Sequence, residues 1–216
     1  MRIALLTATS LAILLPLSAH AEPEYVGARA STLGLGLEYA HKFTPHISGR
    51  AVVNNYNYDD DFESDNIQYN GELELGSFGG LVDFRFTENS PFFVTAGIYK
   101  NNNEIKATAD PAQQTDIGGI PFTPEQIGIL TARADFKDTA PYLGLGWRWA
   151  AGKVGFSLEA GAYFQGSPQV SLTSNGTLAS DPIYQQALEI ERRDLEDELK
   201  DFKTYPVVSF GVGYKF

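Results

Sequence analysis

Cysteine is absent from this sequence. Its absence excludes a disulfide framework, a cysteine-linked lipid anchor, and thiolate metal or redox chemistry. Cations are scarce as well: 16 Lys and Arg stand against 27 Asp and Glu, a formal charge of −11. That balance argues against nucleic acid as a partner and against direct attraction to anionic lipid. Beyond the N-terminus no stretch approaches the roughly 20 apolar residues of a membrane helix. A membrane protein lacking such helices must close its strands into a barrel, because lipid offers no partner to a free strand edge. The mean hydropathy of −0.19 suits a barrel, in which half the strand residues face inward and the loops are polar.

What is present begins with an export signal. Arg2 supplies a positive start, Ile3 to Leu17 a short apolar core, and Ala19-His20-Ala21 a cleavage site of the A-x-A type. Residues 1–21 therefore read as a removed signal peptide and 22–216 as the mature domain. Losing Arg2 takes the net charge from −11 to −12.

The mature chain alternates with period two in segments joined by alternately short and long connections. Leu33, Leu35, Leu37, Tyr39 and Phe43 form an apolar row against Gly34, Gly36, Glu38, Ala40 and Lys42. Similar pairs of rows run through 47–58, 92–98, 142–149, 154–165 and the C-terminal 205–216. In 67–86 Leu73 and Leu75 lie on one parity, and Val82, Phe84 and Phe86 on the other. Alternation cannot switch without an extra residue, so a β-bulge is expected within Gly76–Gly80. Asp59 to Asp65 reads as an acidic loop, and the 92–98 strand as continuing toward Ala109. A loop is expected over about 110–131. Seven strands are evident; an even count requires an eighth, for which Glu24–Ser31 is available. The fold class is all-β: an eight-stranded antiparallel transmembrane β-barrel. One amphipathic helix over Ser180–Lys203 lies in its last extracellular loop, with Ala187, Leu188, Leu195, Leu199 and Phe202 at helical spacing. Its charges suggest the pairs Glu189–Arg193 and Glu196–Lys200. It reads as a cap over the barrel mouth, with partner binding as the alternative.

The last residues carry a resemblance. Gly211, Tyr214 and the terminal Phe216 resemble the C-terminal assembly signal of bacterial outer-membrane barrels, although Phe210 stands where that pattern usually has a polar residue. With the leader, the three short turns and the alternation, the chain looks like the small OmpA/OmpX-type barrels. The resemblance implies insertion by the barrel-assembly machinery among outer-membrane lipid and lipopolysaccharide, with loops extracellular and the C-terminus periplasmic. It also implies a structural or surface-interaction role, with an extracellular partner at the loops. No peptidoglycan-binding domain follows the barrel, so cell-wall tethering is not expected.

Chemistry is sought among inward charges. Glu38, Arg50, Glu72, Glu74, Asp83, Arg85, Arg148 and Glu159 are expected to pair in a lumen charge network, since a lone buried charge costs several kcal/mol. Such a network plugs the lumen; the alternative is a narrow pore or polar track for small solutes or ions. A lipid-A-modifying enzyme ranks third. His41 and His46 flank a periplasmic turn, far from the outer leaflet, and the only serine near them is Ser48. No catalytic residue, cofactor or metal site is assigned. Clustered carboxylates at 59–65 suit hard cations but lack the spacing and glycine of a calcium loop.

Overall fold

The structure, a computed structural model, describes residues 22–64 and 67–216; the leader assigned to residues 1–21 lies outside them. In chain order the elements are β1 (Glu22–Ser31), β2 (Gly34–Lys42), β3 (Ile47–Ser64), β4 (Ile67–Phe84), β5 (Phe92–Asn101) and β6 (Glu104–Pro111). There follow β7 (Thr115–Ile117), β8 (Ile120–Phe122), α1 (Pro124–Ile127), β9 (Leu130–Asp135), β10 (Thr139–Ala151) and β11 (Val154–Tyr163). The chain ends with β12 (Gln169–Ser174), α2 (Pro182–Leu199), a 3₁₀ turn (Lys200–Lys203) and β13 (Tyr205–Lys215).

Eight of these strands close a ring: β1, β2, β3, β4, β5, β10, β11 and β13, the last pairing back onto β1. Every neighbouring pair is antiparallel. The outward rows are the apolar ones. Leu35, Leu37, Val82, Leu145, Leu158 and Phe210 are each 46 to 66% exposed. A water-soluble surface does not carry an apolar band of that extent; a hydrocarbon-facing one does. Aromatic residues gather toward one rim, where Phe84 and Phe86 meet edge-on and Trp149 stacks on Phe156.

That rim is the turn end. Its three connections are short (43–46, 85–91 and 152–153), and both Glu22 and Phe216 lie there. The tightest needs Gly152 in the left-handed region, at φ 63°. At the opposite, loop end β1 and β2 are joined by the two residues 32–33.

Above the loop end the sheet continues as a separate module. β3 and β4 outrun the barrel, and β6, β9 and β12 add to the far half of β4 in that order. α2 lies on β12. Tyr184, Ala187 and Leu188 of the helix pack with Ile117, Phe122 and Ile127 from the β7–β8 hairpin and α1. Asp181 caps α2 by accepting from the amides of Ile183 and Tyr184 at 2.8 and 3.1 Å.

Four sequence expectations are corrected here. First, β4 has no bulge over Gly76–Gly80: its register with β3 runs unbroken from Phe84 to Ile67. The phase never switches. The surroundings do, because β4 exchanges β5 for β6 above Ser77, and the face that was the lumen wall becomes the covered face of the module. Leu75 is buried on that face, while Glu74 is exposed. Second, the acidic segment from Asp59 to Ser64 is strand rather than loop. Third, β5 does not run on toward Ala109; it ends at Asn101, and Asn102–Asn103 separate it from β6. Fourth, the expected loop over about 110–131 contains β7, β8 and α1. The helix cap covers this module rather than the rim itself, and Phe202 stays exposed.

Candidate functional site

The period-two alternation that sends apolar residues outward sends the charged ones into a lumen about one side chain wide, as eight strands allow. Arg50 on β3 sits at its centre, 3% exposed. Its Nη1 donates to Glu38 at 3.2 Å, and its Nη2 donates to Asp83 at 3.0 Å and to Glu159. The carboxylates hold their second oxygens by other means. Ser157 donates to Glu38 at 2.8 Å, Tyr142 donates to Glu159 at 2.6 Å, and Arg148 reaches Asp83 at 3.3 Å. Phe93 fills the space between the two guanidiniums, 5.5 Å from Arg50 and 4.9 Å from Arg148.

Toward the turn end the chain of charges continues to Glu24, which meets Arg85, accepts from Ser48 at 2.6 Å and stands 3.6 Å from Arg148. There the lumen opens into a vestibule of about 510 Å³ that Lys42, Glu88 and Lys215 also line. Toward the loop end it closes. Tyr99, Tyr142 and Tyr163 pack edge-to-face at 5.3 to 5.7 Å between centroids. Leu33, Val52, Leu81 and Val207 complete the plug.

Of the eight residues expected in the network, the structure brings together Glu38, Arg50, Asp83, Arg85, Arg148 and Glu159. It does not bring in Glu72 or Glu74. Both lie on β4 above the barrel, on the parity opposite to the lumen; Glu72 pairs with Lys106 at 2.9 Å on the module sheet. Sequence reasoning missed Glu24 and Arg29. Arg29 was legible, since it shares parity with Tyr25 on β1 and lies 3.6 Å from Glu38. Glu24 was not, for it sits on the outward parity and turns in at a register shift between Pro23 and Tyr25.

Tyr214 and Phe216 point outward at the turn end, while Gly211 lies inward, where a Cβ would meet Ser157 and Glu38. His46 contacts the Arg85 carbonyl at 3.0 Å and His41 the Tyr39 hydroxyl at 3.1 Å, both at the turn end. Along the strand Asp59 and Asp61 lie on one face and Asp60 on the other. Glu189 pairs with Arg193 at 2.8 Å as expected, whereas Glu196 pairs with Arg192 rather than Lys200.

No family model matches the sequence, and no curated protein does. Solved structures do. CarO2 of Acinetobacter baumannii matches with a TM-score of 0.62 at 21% identity, over 91% of this chain and 99% of that one. CarO of the same organism matches at 0.60 and 20% identity, over 90% and 98%. The chain has the fold of an outer-membrane barrel. At this identity the likeness is one of fold, and it extends over nearly the whole of both chains.

Proposed function

We propose that this chain is a non-enzymatic outer-membrane barrel whose lumen is shut and whose loop-end module is its working surface. The observation that carries the reading is the sealed interior. Arg29, Arg50, Arg85 and Arg148 face Glu24, Glu38, Asp83 and Glu159, as many cations as anions, and the three tyrosines stand above them. Charges so arranged fill the barrel from within, and Tyr99, Tyr142 and Tyr163 lie fully buried across the lumen above them. The chain buries its own charges to fill the barrel, while the outward-reaching material is spent on the module. In this reading the loops face outside, the C-terminus faces the periplasm, and Gly211, Tyr214 and Phe216 serve assembly by the barrel-assembly machinery. Lipopolysaccharide and outer-membrane lipid surround the apolar band.

The test is electrical. Purified mature protein reconstituted in planar bilayers should show no single-channel steps. Reproducible small conductance would replace this reading with the narrow pore. Protease treatment of intact cells should cleave within the module and spare the barrel; cleavage only after the outer membrane is breached would reverse the orientation. Unchanged lipid A composition on overexpression is expected of a protein without lipid-modifying activity.

A further inference from the structure

β3 has a free edge. Its pairing with β2 ends at Leu35–Asn55, yet its pairing with β4 goes on to Ser64–Ile67. From Tyr56 onward one side of the strand therefore has no neighbour among the described residues. The carbonyl of Asn55 faces Gly34 on β2, and that of Asp60 faces Gly71 on β4. Backbone groups alternate in direction along a strand, so the N–H and C=O groups of Asn57, Asp59 and Asp61 point to the free side. Both faces of this stretch are open: Tyr56 and Tyr58 on one face, and Asn57 and Asp59 on the other, are all exposed. The opposite edge of the same sheet, β12, is covered by α2. Natural edges are usually blunted by charge, proline or a bulge. Between Tyr56 and Asp61 this one has neither proline nor bulge and carries charge of one sign only, on Asp59, Asp60 and Asp61.

The charge pattern across the sheet says what would fit. One cross-strand row reads Asp59, Glu72, Lys106, Arg133. Glu72 is satisfied by Lys106 at 2.9 Å, and Arg133 by Glu104 at 3.0 Å. Asp59 is left opposite a like charge, a pairing that disfavours the sheet, and its outer side is vacant of any strand. A second copy of this chain would bring Asp59, Asp60 and Asp61 against the same three residues. Repulsion excludes it. A strand with Lys or Arg at alternate positions would complete the row.

We infer that the Tyr56–Asp61 edge is a docking rail for an extended cationic segment of another protein, which adds to the module as a further strand. This rests on the reading of the module as the interacting surface. It fails separately from that reading, since conductance and cell-surface cleavage do not depend on it. The probe is a short acetylated peptide of alternating Lys and Thr, titrated against the mature protein in detergent micelles. Binding should weaken at least about tenfold when alternate peptide amides are N-methylated, because ladder bonds are lost while charge is kept. Asp59→Pro should remove binding and leave the barrel folded, because the lost N–H points away from β4. The triple change of Asp59, Asp60 and Asp61 to Asn should weaken binding by about tenfold or more. No binding, or binding indifferent to N-methylation and to Asp59→Pro, would overturn the rail and leave only diffuse attraction to an acidic surface. Wild-type protein pairing with itself along β3 would overturn it too.

Discussion

Glu24 reaches Arg85 because β1 is bulged between Pro23 and Tyr25. Strict alternation would send Glu24 to the lipid side, since Tyr25 next to it is buried in the lumen. The extra residue lets both face inward. The bulge thus places an anion at the turn-end mouth, where Arg85 and Arg148 need one. Glu24→Gln should destabilise the barrel by about 1–3 kcal/mol, the cost of charged donors left poorly paired. The readout is the midpoint of urea unfolding in detergent; a midpoint equal to wild type would mean that solvent in the vestibule already serves both guanidiniums.

Arg50 and Arg148 should differ in a fixed order. Arg50→Leu leaves Glu38, Asp83 and Glu159 buried together without their shared cation, and a loss of about 3–5 kcal/mol is expected. Arg148→Leu removes one of two partners of Asp83, which keeps Arg50 at 3.0 Å, so it should cost less. The temperature at which the folded band disappears on unheated gels reports both. Equal losses would show that the charges act as separate pairs rather than through Arg50.

Gly146 lies against Phe93, and a Cβ there would fall within the ring. Phe93 cannot retreat, being held between Arg50 and Arg148. Gly146→Ala should therefore cost about 1–3 kcal/mol through overpacking. Gly80→Ala is the control: nothing lies within 4 Å of its added Cβ, and stability should be unchanged.

Tyr184 anchors α2 to Phe122, with ring centroids 4.8 Å apart. Tyr184→Ala should weaken docking of the helix by about 3–5 kcal/mol. The module should then be cut by protease within α2, while the barrel keeps its resistance to unfolding. Loss of both together would mean that the barrel and its module fold as one unit.

Glu189 accepts from Arg192 and Arg193, and those hydrogen bonds lower its pKa from 4.5 to about 2. A lowered carboxyl stabilises the folded form above its ordinary value, and the contribution is lost as pH falls toward the folded value. The pairing that supports the helical turn around Glu189 should accordingly hold from neutral pH down to about 4 and weaken below it. A carboxyl carbon titration by NMR should place the midpoint near 2; a midpoint near 4.5 would show that the two arginines do not engage it.

Much of this architecture was legible in the sequence because one rule governs a barrel strand. A side chain faces either hydrocarbon or lumen, and the two demands are opposite, so parity alone sorted Leu35 from Glu38 and Leu145 from Arg148. A different signal located α2: its apolar residues recur at helical spacing, and Asp181-Pro182 marks its start. The parity rule failed above the barrel. Leu73 and Leu75 read as a phase change if lipid lies on their side, whereas here β4 has left the barrel and pairs with β6. Glu72 and Glu74 were assigned to the lumen for the same reason.

The sequence by itself determined which barrel residues could touch lipid, how many strands close the ring and that Glu38, Arg50, Asp83 and Glu159 must be hidden. Only the tertiary structure decided which charge meets which. The partners of Arg50 come from three other strands, 12 to 109 residues away in sequence, and their meeting depends on barrel closure. Where the barrel stops and the module begins was likewise decided by strand pairing. At Asn55 and Ser77 the neighbours of β3 and β4 change, and no local propensity records that change.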